Sequence, residues 1–168
     1  RGVASLKGGP WRRRAGVEEL ISQEAALGLH GPEAYRRLFE TIQERKHQLT
    51  ELLRRLKHEG KRIVGFGAPA KATTLLYQFG IGPDTLDYIV DDSPWKQGLY
   101  SPGLHIPIRP ASMLYAETPR PDYALILAWN FADSIMKNHV RFQHAGGHFI
   151  VPLPTVEVIS RDASLSRK

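Results

Sequence analysis

Apolar positions recur along this chain in two patterns, one with a period near 3.6 residues and one nearly continuous over four to seven positions. Their alternation predicts helices separated by buried strands. Val17, Leu20, Ile21 and Leu27 fall at helical spacing until Gly28 and Gly31 interrupt it, which gives a short first helix. Pro32 suits the first position of a second, longer helix. Along it Tyr35, Leu38, Phe39, Ile42, Leu49, Leu52, Leu53 and Leu56 form one apolar stripe ending at Gly60. This stripe is expected to pack on a sheet or on a partner domain.

Beyond Gly60 the strand pattern begins. Lys61 to Lys71 reads as a buried strand, a glycine turn and a helix start, and the helix continues from Ala70 to Phe79. Leu86 to Val90 predicts a second strand with Asp91 and Asp92 at its carboxyl end. Ser93 to Pro110, rich in Pro and Gly, predicts a long ordered loop, and Ala111 to Ala116 a turn or two of helix. Tyr123 to Trp129 is nearly all apolar, as a central strand covered on both faces should be. Asn130 to His144 returns to helical spacing, His148 to Val151 predicts a fourth strand, and Val156 to Ile159 offers a fifth, at an edge. Strands alternating with helices imply a doubly wound, mostly parallel Rossmann-like α/β sheet of four or five strands with an N-terminal helical arm. The expected divisions are a lead-in over 1–14, the arm over 15–60, the sheet domain over 61–160 and a disordered tail over 161–168.

Composition narrows the function classes. The 168 residues include no Cys, which excludes disulfides and thiolate zinc sites within the chain and suits a cytoplasmic protein. The net charge of +6 is spread out, with Arg12-Arg13-Arg14 as a run, and no nucleic-acid reader motif accompanies it, so a nucleic-acid partner is not expected. No apolar run reaches the length of a membrane span, and no membrane partner is expected. The start at Arg1 rather than Met suggests a piece of a longer protein.

The candidate site follows from topology. Parallel strands put their carboxyl ends on one edge, where Gly65 to Lys71, Asp91 to Gln97, Trp129-Asn130 and Pro152 to Thr155 would gather. Gly65-x-Gly67-x-x-Ala70 fits a dinucleotide fingerprint, in which Gly67 and Ala68 bring backbone close to a phosphate and Pro69 opens the helix. Lys71 adds a cation, and Asp91 stands where an acid would hold a ribose. Each feature has a plainer reading as well: a tight turn without ligand, and an acid that caps a loop. Lys96 and Gln97, in the loop with Trp95, are candidates for sugar or phosphate. Trp129 and Asn130 are candidates for stacking on a ring and hydrogen-bonding to it. His105 is a lesser candidate, and His144 with His148 lacks the support a metal pair needs, so no metal site is expected. No nucleophile elbow or Ser, His and Asp arrangement is present in the pattern.

Five ordered blocks resemble a known family: Gly65 to Lys71 with Thr74-Leu75-Leu76, Val90 to Gly98, Pro102 to Ile108, Ile126 to Asn130, and Phe149 to Pro154. Together they are similar to the C-terminal domain of SAM-dependent sugar C-methyltransferases, over roughly residues 5 to 155. Many members carry Gly-Asn after the motif lysine, where this chain has Ala72-Thr73. The resemblance implies a three-part enzyme with a Cys-ligated zinc domain, a SAM domain carrying the catalytic base, and this domain, which anchors a nucleotide-linked keto-deoxysugar. It implies that a base deprotonates the carbon beside the keto group and that the enolate attacks the SAM methyl, with SAM bound upstream and no catalytic residue or cofactor in this stretch. Leu6 to Gly9 resembles the tail of the SAM domain. Two other readings remain open from the residues alone: a stand-alone NAD(P)-binding oxidoreductase domain, and a non-catalytic docking module.

Overall fold

The computed structural model describes residues 6–9 and 15–160. The expected lead-in over 1–5 and 10–14, and the tail over 161–168, lie outside the described residues. Two compact units divide at Gln43 and Glu44. The first holds α1 (Ala15–Ala26) and the opening turns of α2 (Pro32–His58). Within it the Arg37 guanidinium donates to the Leu27 carbonyl, and Tyr35, Leu38 and Phe39 are exposed.

The second unit begins inside α2 and contains a six-stranded sheet. Its elements are β1 (Ile63–Phe66), α3 (Ala70–Phe79), β2 (Ile89–Asp91), β3 (Ile108–Pro110), α4 (Met113–Ala116), β4 (Tyr123–Ile126), α5 (Ala132–Asn138), α6 (Val140–His144), β5 (His148–Val151) and β6 (Glu157–Ile159). A single 3-10 turn, Trp129–Phe131, links β4 to α5. The strand order is β3-β2-β1-β4-β5-β6, parallel throughout except for the antiparallel β6. This is the expected doubly wound, Rossmann-like sheet.

Strand alternation builds the two faces. Val64, Phe66, Ala124, Ile126, Phe149 and Val151 pack with Leu114 of α4, Ala132 and Ile135 of α5, and Phe142 of α6 in one core. The intervening positions Ile63, Gly65, Leu125 and Ile150 point the other way. The helix α3, which joins the parallel β1 and β2, buries Ala72, Leu75, Leu76 and Phe79, as a right-handed crossover packed on that second face would. Of the α2 stripe, the structure buries Leu49, Leu53 and Leu56. Each such leucine contributes about 1.5–3 kcal/mol by leaving water.

Three features differ from the sequence reading. The long loop ends in a sixth strand, β3, which pairs in parallel with β2. Its three residues lie beside Pro107 and include Pro110, a composition that reads as loop but is tolerated at a sheet edge, where one side of the strand has no ladder to feed. The single helix expected over Asn130 to His144 is broken into the 3-10 turn, α5 and α6, with the break at His139. The apolar stripe of α2 is covered only in its later turns, because periodicity marks an apolar face without saying whether anything lies on it.

Candidate functional site

The carboxyl ends of β1, β2, β4 and β5 share one edge, as the parallel register requires. At the centre is the turn after β1. Gly67 takes φ +86°, and a Cβ built on it would stand 2.7 Å from the Ala128 Cβ, so the turn nests directly against the end of β4. A Cβ on Gly65 would meet Ile89 and Leu127 side chains at 2.9 Å. Both glycines thus serve close packing of this turn and of the adjoining strands.

Asp91 is 7% exposed and closes the turn from below. Its Oδ2 accepts the Ala68 N–H at 2.7 Å and the Lys96 ammonium at 3.2 Å, while Oδ1 accepts the Ser93 N–H at 2.8 Å. Burial pushes this carboxyl up, but the two amides and Lys96 outweigh that and hold it below the usual carboxylate range. The Ala68 amide, expected to face a phosphate, is therefore donated to Asp91, whose oxygens are taken by this turn and by its own loop. Gln97 Nε2 donates to the Asp91 carbonyl at 3.0 Å, so Lys96 and Gln97 both brace the same corner.

Pro69 is the N-cap of α3, with extended backbone and no side-chain cap. The Ala70 and Lys71 amides that follow have no acceptor within the helix. Lys71 projects its ammonium over the Trp129 ring, 4.1 Å from the centroid. That contact joins the glycine turn to the end of β4, where Trp129 and Asn130 occupy the 3-10 turn. Trp129 and Asn130, with Asp133, Leu153, Thr155 and Glu157 among their neighbours, line a cavity of about 220 Å³. The structure thus sets Trp129 and Asn130 on the cavity, brings Lys71 against the Trp129 ring, and builds Gly65, Gly67, Ala68, Asp91, Lys96 and Gln97 into the scaffold beside it.

A second group escaped the sequence reading. Tyr115 and His139 Nδ1 lie 2.8 Å apart, and His139 Nε2 is 3.2 Å from the Asp92 carboxylate. With a neutral ring, Nε2–H donates to Asp92 and Nδ1 accepts from the Tyr115 hydroxyl. The ring also packs edge-to-face with Phe66, their centroids 4.7 Å apart. The helix break at His139 is what aims this imidazole. No local motif joins positions 92, 115 and 139, and the only signal was an acid at a strand end. His105, the lesser candidate, sits exposed in a turn with φ 53°. Among the described residues no group of three or more His, Asp or Glu gathers in a way that holds a metal ion. No described helix is long and apolar enough to cross a membrane.

Comparison with known proteins accounts for the order of the five sequence blocks. Residues 3–154 match the family described as the C-methyltransferase C-terminal domain. The chain is also similar to the C-methyltransferase NovU of Streptomyces niveus, 36% identical over 152 residues that cover 90% of this chain and 36% of that protein. It thus spans about a third of the length of the curated relative it matches. The match runs through the glycine turn, the Asp91 corner, the Trp129 turn and β5, and on that basis this chain belongs to the C-methyltransferase C-terminal domain family.

Proposed function

We propose that this chain is the substrate-anchoring domain of a SAM-dependent C-methyltransferase that acts on a nucleotide-linked keto-deoxysugar. The observation that carries the reading is the Lys71 ammonium poised over Trp129 beside the uncapped start of α3. A diphosphate there meets a fixed cation and the Ala70 and Lys71 amides, and a ring meets the indole and Asn130. The cavity of about 220 Å³ beside Trp129 is the room for the sugar. In this reading the zinc and SAM parts belong to the same polypeptide upstream, and the whole protein works in the cytoplasm.

The residues present do not fit SAM. An acid that would hold its ribose hydroxyls stands at Asp91, and that side chain is buried and committed to Ala68, Ser93 and Lys96. The same commitment counts against a nicotinamide dinucleotide. No step of methyl transfer is routed through this chain, whose part is to bind and orient the sugar nucleotide.

The test is calorimetric titration with dTDP, with NADH as the contrasting ligand. The dTDP is expected to bind, and Lys71→Gln to weaken it about tenfold, as loss of a charge-assisted contact does. Binding of NADH in preference to dTDP, or equal dTDP affinity in Lys71→Gln, overturns the proposal.

A further inference from the structure

The groove between α4 and α6 holds a cationic cluster that the substrate crevice does not use. Tyr115, Arg120, Arg141, His144 and Ala145 line a cavity of about 300 Å³. Arg120 lies three residues before β4 and His144 four before β5, toward the amino ends of the strands. This places the cluster away from the edge where Lys71 and Trp129 stand.

Neither helix capping nor an acid partner accounts for these basic side chains. Basic side chains near a helix end often satisfy its last carbonyls, but here the backbone does so: the Ala145 N–H bonds the Arg141 and Phe142 carbonyls, and the Gly146 N–H bonds that of Gln143. The acids nearest Arg120 in sequence are engaged elsewhere. Glu117 accepts from Arg62 at 3.1 Å and from the Tyr88 hydroxyl at 2.6 Å, and Asp122 accepts the Arg62 N–H at 2.8 Å. Among the described residues no carboxylate pairs with Arg120, Arg141 or His144. Arg141 instead rests over the Tyr115 ring at 5.4 Å, a cation–π contact that orients its guanidinium without a carboxylate partner. Tyr115 is fixed in turn by His139 at 2.8 Å.

We propose that this groove is a binding site for a phosphate group, either free or carried on a small molecule. Two guanidinium forks and an imidazole offer more donors than a carboxylate has oxygens, whereas a tetrahedral dianion can take a fork on each side. The site is independent of the crevice and of its proposed nucleotide sugar.

The experiment follows backbone amide resonances of the protein during titration with inorganic phosphate, with acetate as the carboxylate probe, at ionic strength held constant with chloride. Phosphate is expected to shift Arg141, His144 and Ala145 saturably, with acetate about tenfold weaker. Arg120→Gln and Arg141→Gln, each made singly on an exposed side chain, are expected to weaken phosphate about tenfold while leaving the remaining spectrum unchanged. Lys71→Gln, in the crevice, is expected to leave this binding intact, so failure here and failure of the crevice proposal are read separately. Absence of saturable shifts at α6, equal response to acetate, or undiminished phosphate binding in both arginine variants overturns the assignment.

Discussion

Asp91→Asn separates a carboxylate that holds the fold from one kept for a ligand. The substitution keeps the volume but replaces one oxygen by an NH2. In the native corner Oδ2 serves the Ala68 amide and Lys96, and Oδ1 serves the Ser93 amide, so either orientation of the new side chain sets a donor against a backbone donor. One buried donor left unpaired costs about 1–3 kcal/mol, and exchanging a charge-assisted bond for a neutral one adds about 1 kcal/mol. The expected loss is therefore about 2–4 kcal/mol, read as a lower urea midpoint at pH 7 with unchanged slope. The pH dependence has a definite sign. The native carboxyl lies below its unfolded value, so its stabilisation is complete above the unfolded carboxyl range and disappears as pH falls through the native value. The gap between wild type and Asp91→Asn should be wide at neutral pH and close on the acid side. A difference under about 0.5 kcal/mol at pH 7, the range of ordinary surface changes, would refute this account of the corner, as would a gap that ignores pH.

Two further substitutions test the packing. Gly67→Ala meets both the positive φ and the Ala128 Cβ at 2.7 Å and should cost about 2–4 kcal/mol. Gly98→Ala, with φ +82° but open space around it, should cost only about 1 kcal/mol, and similar melting temperatures for the two would remove the steric argument. Leu53→Ala should cost about 2–5 kcal/mol, against under about 0.5 kcal/mol for the exposed Leu38→Ala, and chemical denaturation that reverses this order would mean the covered part of α2 is misplaced.

The Asp91 corner also shows where sequence reasoning stops. Gly65-x-Gly67-x-x-Ala70 and the acid that ends β2 correctly marked a tight strand-to-helix turn next to a strand end. Whether the acid faces a ribose or the protein's own backbone depends on which amide comes within 3 Å of it, and Ala68 lies 23 residues away in the chain. Lys71 and Trp129 were each legible as candidates, but their contact joins two strand ends across the sheet. The Tyr115, His139 and Asp92 group and the Arg120, Arg141 and His144 cluster went unread, since no spacing rule connects their positions.

By itself the sequence determined the class of fold, four central strands, the carboxyl edge and the family blocks. Those features follow from local periodicity and turn chemistry, which act over a few residues. The tertiary structure alone decided the sixth strand, the break at His139, which part of the α2 stripe is covered, and which polar groups are spent on the scaffold. Each of these turns on distances between residues far apart in the chain, and a hydrogen bond or an apolar contact is won or lost within an ångström.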